Sequence, residues 1–103
     1  MRSLVLFRVG PKWIEGSVRD QNPAVMNAHL VRMRDLYDKG VLLFAGPARK
    51  THEAIALVEA ESGAAAATIM DGDPAVQAGI LTFRVLELSA YFDRFAGRAW
   101  PER

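Results

Sequence analysis

The 103-residue chain has no cysteine, which excludes disulfides, thiolate-ligated zinc, iron–sulfur clusters and thiol nucleophiles. Its two histidines, His29 and His52, are not at metal-ligand spacing, and the chain has no cofactor motif. We therefore expect neither a metal nor a cofactor. Thirteen basic residues against twelve acidic ones leave a net charge of +1, so there is no basic field to hold nucleic acid.

Long hydrophobic runs are also missing. No stretch approaches the roughly 18 apolar residues that span a bilayer. The N-terminal "MRSLVLFRVG" is interrupted by Arg8 and no small-residue cleavage site follows it, which indicates a first strand rather than a signal peptide. Half of the residues are hydrophobic and 24% are charged, a globular mixture. We predict one cytoplasmic domain over residues 1–103, because this length leaves no room for a second core.

What is present is an alternation of strand-like and helix-like segments. The predicted strands cover residues 3–9, 41–47, 53–60 and 80–88, and the predicted helices cover 23–39 and 62–71. Asn22-Pro23 is typical of a helix start and Gly40 of a helix end, while 10–22 is a polar loop long enough to cover a pocket. The order β-α-β-β-α-β predicts an α+β, ferredoxin-like domain with an antiparallel sheet.

Apolar residues form one predicted stripe along the first helix, and His29 falls inside it. The stripe consists of Met26, Leu30, Met33, Leu36 and Tyr37. The charged residues of this helix lie off the stripe: Arg32, Arg34, Asp35, Asp38 and Lys39.

Strands one and two contain near-continuous apolar runs, "LVLF" and "VLLFA", instead of a clean alternation. Such runs indicate burial on both faces of the sheet. A chain of this size can cover the second face only with a partner copy or with its own tail, residues 89–103. We therefore predict a homodimer whose sheets pack face to face, with Phe95 and Trp100 packed on the domain or on the partner.

His29 and Asp73 are the two candidates for chemistry. Taken singly, His29 is typical of a hydrogen-bonded core histidine, and Asp73, in "MDGDPAVQAGI", of a turn initiator before proline. In this topology, however, the turn before strand four can return beside the first helix. A carboxylate there would bond one imidazole nitrogen and make the other a general base near neutral pH.

Two segments carry a resemblance to a known family. "HLVRMRDLYDKGVLLFAGP" (29–47) followed by "DGDPAVQAGI" (71–80) resembles the YciI-like, or YCII-related, family, and the likeness extends to about residue 88. The marks are a helix His-Leu, a Gly-Pro that ends strand two, and an Asp-Pro followed by Ala-Gly. Neither segment would be specific alone, but the two in this order are.

The resemblance implies a dimeric α+β barrel with an active site on the helix histidine and the Asp-Pro aspartate, here His29 and Asp73. Gly46 and Pro47 would form the pocket wall. Most members have no assigned reaction, and one characterised branch is similar to dehydrochlorinases of chlorinated hydroxyquinols.

This chain departs from the family at two positions. Met26 replaces an arginine that often stands three residues before the histidine, so Met26 would line the substrate pocket, and Ala75 replaces a frequent aromatic. The pocket would be roomier and less cationic. Replacement charges could come from three arginines that are otherwise solvated surface residues: Arg8, Arg49 and Arg84.

Three hypotheses of function follow from these residues. In the first, His29 is a general acid/base oriented by Asp73, and it acts on a small cyclic or carbonyl metabolite by elimination or isomerisation. The second is a small-molecule binding or regulatory module without turnover, and the third is a structural dimeric domain. Trp13 is either a lid over the ligand or an anchor of its loop, and we expect His52 to be exposed.

Overall fold

A four-stranded antiparallel sheet is the main layer of the computed structural model, which describes residues 1–101. Its strands are β1 (Arg2–Val9), β2 (Leu42–Pro47), β3 (Ala54–Glu59) and β4 (Leu81–Glu87), in the spatial order β2-β3-β1-β4. Each predicted strand agrees with the observed one to within one residue at either end. The α+β class and the antiparallel sheet are confirmed, and the element order fits the ferredoxin-like arrangement.

The helices are α1 (Pro23–Asp38), α2 (Gly63–Asp71) and the short α3 (Pro74–Gln77). Asn22 caps α1, because its side-chain oxygen accepts hydrogen bonds from the backbone N–H groups of Ala24 and Val25. Gly40 follows α1 with a φ of +77°, a conformation that glycine adopts without strain. Within residues 1–101, no helix is both long enough and apolar enough to cross a membrane.

The hydrophobic core lies between one face of the sheet and the helices. Alternate residues of β1 and β3 point into it and are nearly or fully buried. The core residues are Val5, Phe7, Ala56 and Val58 from the sheet, Leu42 from β2, and Met33, Leu36, Ala66 and Met70 from the helices. This packing holds α1 against the sheet, which places His29 over it.

The opposite face of the sheet, here called the outer face, is also apolar. Cross-strand pairs place the following side chains on it: Leu4, Leu6, Phe44, Ile55, Leu57 and Leu86. Phe44 keeps 56% of its surface exposed and Ile55 keeps 38%. A single chain therefore covers only one of the two faces for which the sequence predicts burial.

The predicted apolar stripe of α1 is wrong at two positions. Leu30 and Tyr37 are 63% and 59% exposed. The face that packs on the sheet instead follows positions 26, 29, 33 and 36, and Arg32, expected to lie off it, is half-buried beside that face. Leu30 and Tyr37 each follow a residue of this face by one position, which turns their side chains by about 100° toward solvent.

The tail forms a small hairpin, with strands β5 (Phe92–Asp93) and β6 (Arg98–Ala99). An ion pair of 2.9 Å between Arg2 and Asp93 joins the hairpin to β1. Phe95 and Trp100 are 61% and 62% exposed. The guanidinium carbon of Arg2 lies 5.8 Å from the centre of the Phe95 ring, so Phe95 contacts its own domain through one cation. Packing of these two aromatic residues on the domain or on a partner copy stays a prediction.

Candidate functional site

Helix α1 carries His29 on the side that faces the sheet. The imidazole ring stands edge-on to the ring of Phe7, with a distance of 6.3 Å between centroids and an interplanar angle of 82°. The side chain keeps 13% of its surface exposed. The ring is therefore packed on an aromatic floor but is not sealed from solvent.

Asp73 begins α3 and is completely buried. Its Oδ2 accepts hydrogen bonds from the backbone N–H groups of Ala75, at 3.0 Å, and Val76, at 3.4 Å. Pro74 occupies the first helical position, where a missing N–H costs nothing. The Asp-Pro pair thus does what the sequence predicts of it, starting a helical turn.

The structure also brings His29 and Asp73 together across 44 residues of sequence. The imidazole Nδ1 lies 2.7 Å from Oδ1 and 2.8 Å from Oδ2 of the carboxylate. A carboxylate only accepts hydrogen bonds, so Nδ1–H donates, and in the neutral ring Nε2 then carries the free lone pair. The contact favours the tautomer in which Nε2 can accept a proton.

Asn22, the N-cap of α1, can be compared with Asp73, the N-cap of α3. It also precedes a proline, and its Oδ1 accepts from Ala24 N at 3.0 Å and Val25 N at 3.3 Å, nearly the distances found at Asp73. A neutral amide is therefore sufficient to start a helix in this geometry. The negative charge at position 73 has a different partner, and that partner is His29.

Arg32 lies one turn after His29 on α1, and its importance was not evident from the sequence. Its Nη2 donates a 2.5 Å hydrogen bond to the carbonyl oxygen of Ile69, near the C-terminal end of α2. A Cβ atom added to Gly72 would lie 2.9 Å from the same Nη2. The spacing of three residues from His29 was the available signal, because residues three apart share a helix face.

Of the two residues of the predicted pocket wall, Pro47 lies in the row of the sheet that contains Phe7, whereas Gly46 pairs with Ile55 of the outer face. Cross-strand pairing aligns Pro47 with Ala54, Ala54 with Phe7, and Phe7 with Phe83. Pro47 and Phe7 are two strands apart, so at the usual spacing of about 4.8 Å between strands the distance between them is about 10 Å. Phe7 is the residue that lies beneath His29.

Gly46 precedes Pro47 in β2 and is half-buried, with open space where a Cβ would be. Met26, one turn before His29 on α1, is half-buried as well. The binding roles of Gly46, Pro47 and Met26 remain predictions.

The three arginines considered as replacement charges lie elsewhere. Arg8 is 73% exposed and faces Glu53 at 3.7 Å. Arg8 and Arg84 line a cavity of about 380 Å³ on the outer face, away from His29. Arg49 is exposed in the β2–β3 turn. Among residues 1–101, no group of three or more acidic or histidine side chains is arranged to hold a metal ion.

The loop 10–22 is held in place by a buried side chain. The amide of Gln21, 3% exposed, accepts from Ile14 N, at 2.9 Å, and donates to the carbonyl oxygens of Ile14, at 2.7 Å, and Ser17, at 3.1 Å. Half-buried Trp13 contacts the exposed ring of His52 in the β2–β3 turn, at 5.3 Å between centroids. The loop therefore lies at the end of the sheet where β1 and β2 finish, which is also the end that contains Pro47 and Phe7.

A model of the YCII-related domain matches residues 1–89 of the sequence. The chain belongs to the YCII-related family. This match confirms the resemblance seen in the two segments around His29 and Asp73, and it ends before the C-terminal hairpin. A comparison with curated proteins finds no significant match.

Among solved structures, the chain is similar to 5-chloro-2-hydroxyhydroquinone dehydrochlorinase from Burkholderia phenoliruptrix AC1100, solved in complex with 2,5-dihydroxybenzoquinone. The alignment covers 84% of this chain and 93% of that one, with 20% sequence identity and a TM-score of 0.61. At this identity, the likeness shows the fold.

Proposed function

We propose that this YCII-related protein is an enzyme in which His29 is the general acid/base and Asp73 orients it. The substrate is a small cyclic or carbonyl metabolite, and the reaction is an elimination or an isomerisation. The observation that carries the proposal is the contact of Nδ1 with both oxygens of a fully buried carboxylate, while the ring keeps an exposed fraction.

The proposed reaction needs only proton transfer. Nε2 of His29 takes a proton from a hydroxyl group, or from a carbon next to a carbonyl, and becomes the second donor of an imidazolium. The electron pair left behind forms a new double bond, and a leaving group departs with its own bonding pair. The substrate thus loses a proton and the leaving group X⁻, together HX, and the reaction needs no external oxidant or reductant. In an isomerisation, the imidazolium returns the proton to another atom. Asp73 stabilises the imidazolium in both cases.

Two features support a ring-shaped substrate. The floor beneath His29 is aromatic, because the ring of Phe83 stands beside that of Phe7 with 6.4 Å between centroids. The similar solved protein is a 5-chloro-2-hydroxyhydroquinone dehydrochlorinase in complex with 2,5-dihydroxybenzoquinone, and both compounds are six-membered oxygenated rings. Small-molecule sites are lined mainly by hydrophobic and aromatic side chains with a few polar groups, and the surroundings of His29 have this character.

The test measures ligand binding and chloride release with the protein and two histidine variants. Binding of 2,5-dihydroxybenzoquinone is measured by calorimetry, and chloride release from 5-chloro-2-hydroxyhydroquinone and related ring compounds by a chloride electrode. His29→Gln should abolish release, whereas His52→Gln, which changes the exposed histidine, should not. Equal release by both variants would refute the role of His29.

The other two hypotheses correspond to distinct outcomes of this experiment. Binding without release would favour a binding or regulatory module. No binding, together with a large loss of stability in His29→Gln, would favour a structural role for the contact with buried Asp73. Both outcomes would exclude the proposed enzyme for these ring compounds.

We also propose that two copies of the chain pair through the outer face, as the dimeric α+β barrel implies. The support is the apolar row on that face, since a contiguous exposed apolar patch in a small protein commonly marks an interface. Light scattering should give twice the chain mass of 11.4 kDa. Ile55→Lys, on the outer face, should reduce it to the monomer mass, and Val31→Lys, at an exposed position of α1, should not. A wild-type monomer at micromolar concentration would refute the pairing.

A further inference from the structure

We propose that Arg32 is a positioning residue: it holds the α2–α3 junction against α1 and so keeps the Asp73 carboxylate in contact with His29. The inference rests on the proposed role of the His29–Asp73 pair. Its test observes the imidazole itself, however, and requires no turnover.

The contacts of Arg32 lie immediately before Asp73 in the chain. The guanidinium bonds to the carbonyl oxygen of Ile69 and packs against Gly72, the residue that precedes Asp73. His29, three residues earlier on α1, bonds to Asp73 itself. Two side chains from one helix face thus hold the same short segment, and the second one has no contact with the reacting atoms.

The charge of Arg32 suits the position. The carbonyl groups in the last turn of a helix lack partners within the helix and carry the negative end of its dipole, so a cation there is favourable. Gly72 N–H also bonds to the Ile69 carbonyl oxygen, at 3.3 Å, so the Arg32 donor joins the turn that leads into Asp73. A shift of the guanidinium is therefore transmitted to the carboxylate through a single residue.

One atom of Arg32 indicates that stability alone does not explain the residue. Among residues 1–101, Arg32 Nη1 is one of three buried side-chain atoms without a hydrogen-bond partner. A buried unpaired donor is unfavourable, so Nη1 offsets part of the stability that the bond from Nη2 to Ile69 contributes. Arg32→Met should therefore leave the protein folded while it removes the bond to Ile69.

The experiment follows the His29 ring by long-range proton–nitrogen NMR, which reports which ring nitrogen carries the proton. The chain has only two histidines, and the His52→Gln variant leaves His29 as the sole source of the signal. In the unmodified protein we expect a protected Nδ1–H. In Arg32→Met we expect its exchange with water to become faster by about tenfold or more, the scale of one hydrogen bond to a charged group. Arg32→Lys retains a charged donor and should restore part of the protection.

Two further variants separate positioning from a general effect of charge or folding. Arg34→Met removes an arginine of the same helix whose side chain is 75% exposed and paired with Asp38, so it should leave the His29 signal unchanged. Gly72→Ala keeps Arg32 but places a methyl group against Nη2, and the backbone at φ −78° accepts alanine without strain. It should reproduce the effect of Arg32→Met.

The outcomes distinguish this inference from the proposed function. An unchanged Nδ1–H signal in folded Arg32→Met and Gly72→Ala would overturn the role of Arg32 and leave the His29–Asp73 pair in place. Absence of a protected Nδ1–H in the unmodified protein would overturn both. Faster exchange in these two variants but not in Arg34→Met would support the inference even if no substrate were turned over.

Discussion

Replacement of Asp73 by asparagine separates the two tasks of this side chain. Asparagine should still start α3, because Asn22 caps α1 with nearly the same distances to two backbone N–H groups. With its oxygen held by those N–H groups, the amide nitrogen takes the place of Oδ1 and faces Nδ1 of His29. An amide nitrogen donates, so Nδ1 must become the acceptor.

The expected result is a reversal of the imidazole tautomer. The proton moves to Nε2, which can no longer act as a base in the neutral ring. A comparable aspartate-to-asparagine exchange beside a catalytic histidine lowers turnover by about 10⁴-fold. The folded state should suffer little: we expect about 1 kcal/mol for the loss of a charge-assisted hydrogen bond that a neutral one replaces.

Asp73→Ala is the matched variant, since it removes the cap as well as the partner of His29. Loss of a cap costs about 1 kcal/mol, and the loss of the bond to Nδ1 adds about 2 kcal/mol. Denaturant titrations should therefore give about 3 kcal/mol for Asp73→Ala and about 1 kcal/mol for Asp73→Asn.

The assay combines these titrations with the NMR measurement of the His29 tautomer. If Asp73→Asn kept the proton on Nδ1, the assignment of roles within the pair would be refuted. If the alanine and asparagine variants were equally stable, the separate capping function would be refuted. Asn22→Asp is a control on α1, where a charge without an imidazole partner should leave the His29 signal unchanged.

Three other substitutions test the framework around the pair, each by denaturant unfolding. Gly10→Ala should destabilise the protein by more than about 2 kcal/mol, because the new methyl group would overlap the carbonyl oxygen of Gly79; an unchanged midpoint would show that the loop can move away. Gln21→Ala should cost about 2 kcal/mol through three lost hydrogen bonds and should also expose loop 10–22 to proteolysis, whereas a resistant loop would contradict its role as anchor. Met70→Ala, at a fully buried position, should cost 2–5 kcal/mol, roughly the range for such deletions, and a smaller loss would indicate that the core collapses around the cavity.

Local patterns predicted the elements of this fold well. Caps and breakers such as Asn22-Pro23 and Gly40 act through the nearest backbone groups, so a short stretch of sequence contains the whole interaction. The strands also follow from local sequence, because short apolar runs that contain β-branched and aromatic residues are typical of strands. The element order then limited the topology to a few arrangements.

Tertiary contacts were harder to predict. Hydrophobicity alone predicts Leu30 and Tyr37 on the buried stripe of α1, although both face solvent, and predicts Arg32 off it, although Arg32 is half-buried. An arginine is seldom buried unless a particular acceptor binds its guanidinium. For Arg32 that acceptor is the carbonyl oxygen of Ile69, 37 residues later in the sequence. No pattern within α1 contains that acceptor.

The choice of aspartate at position 73 connects the fold with the chemistry. Burial of a carboxylate destabilises the folded protein unless donors bond to both of its oxygens. The carboxylate of Asp73 has no solvent exposure. The backbone of α3 supplies donors to Oδ2, and for that purpose an amide would suffice, as it does at Asn22. Among residues 1–101, the imidazole of His29 is the one donor to Oδ1, and it offsets the energetic cost of the buried charge. Its Nε2 takes no part in that contact. Asparagine would satisfy the same cap geometry without a charge, so the cap alone does not explain an aspartate at position 73, whereas the proposed general-base role of His29 does.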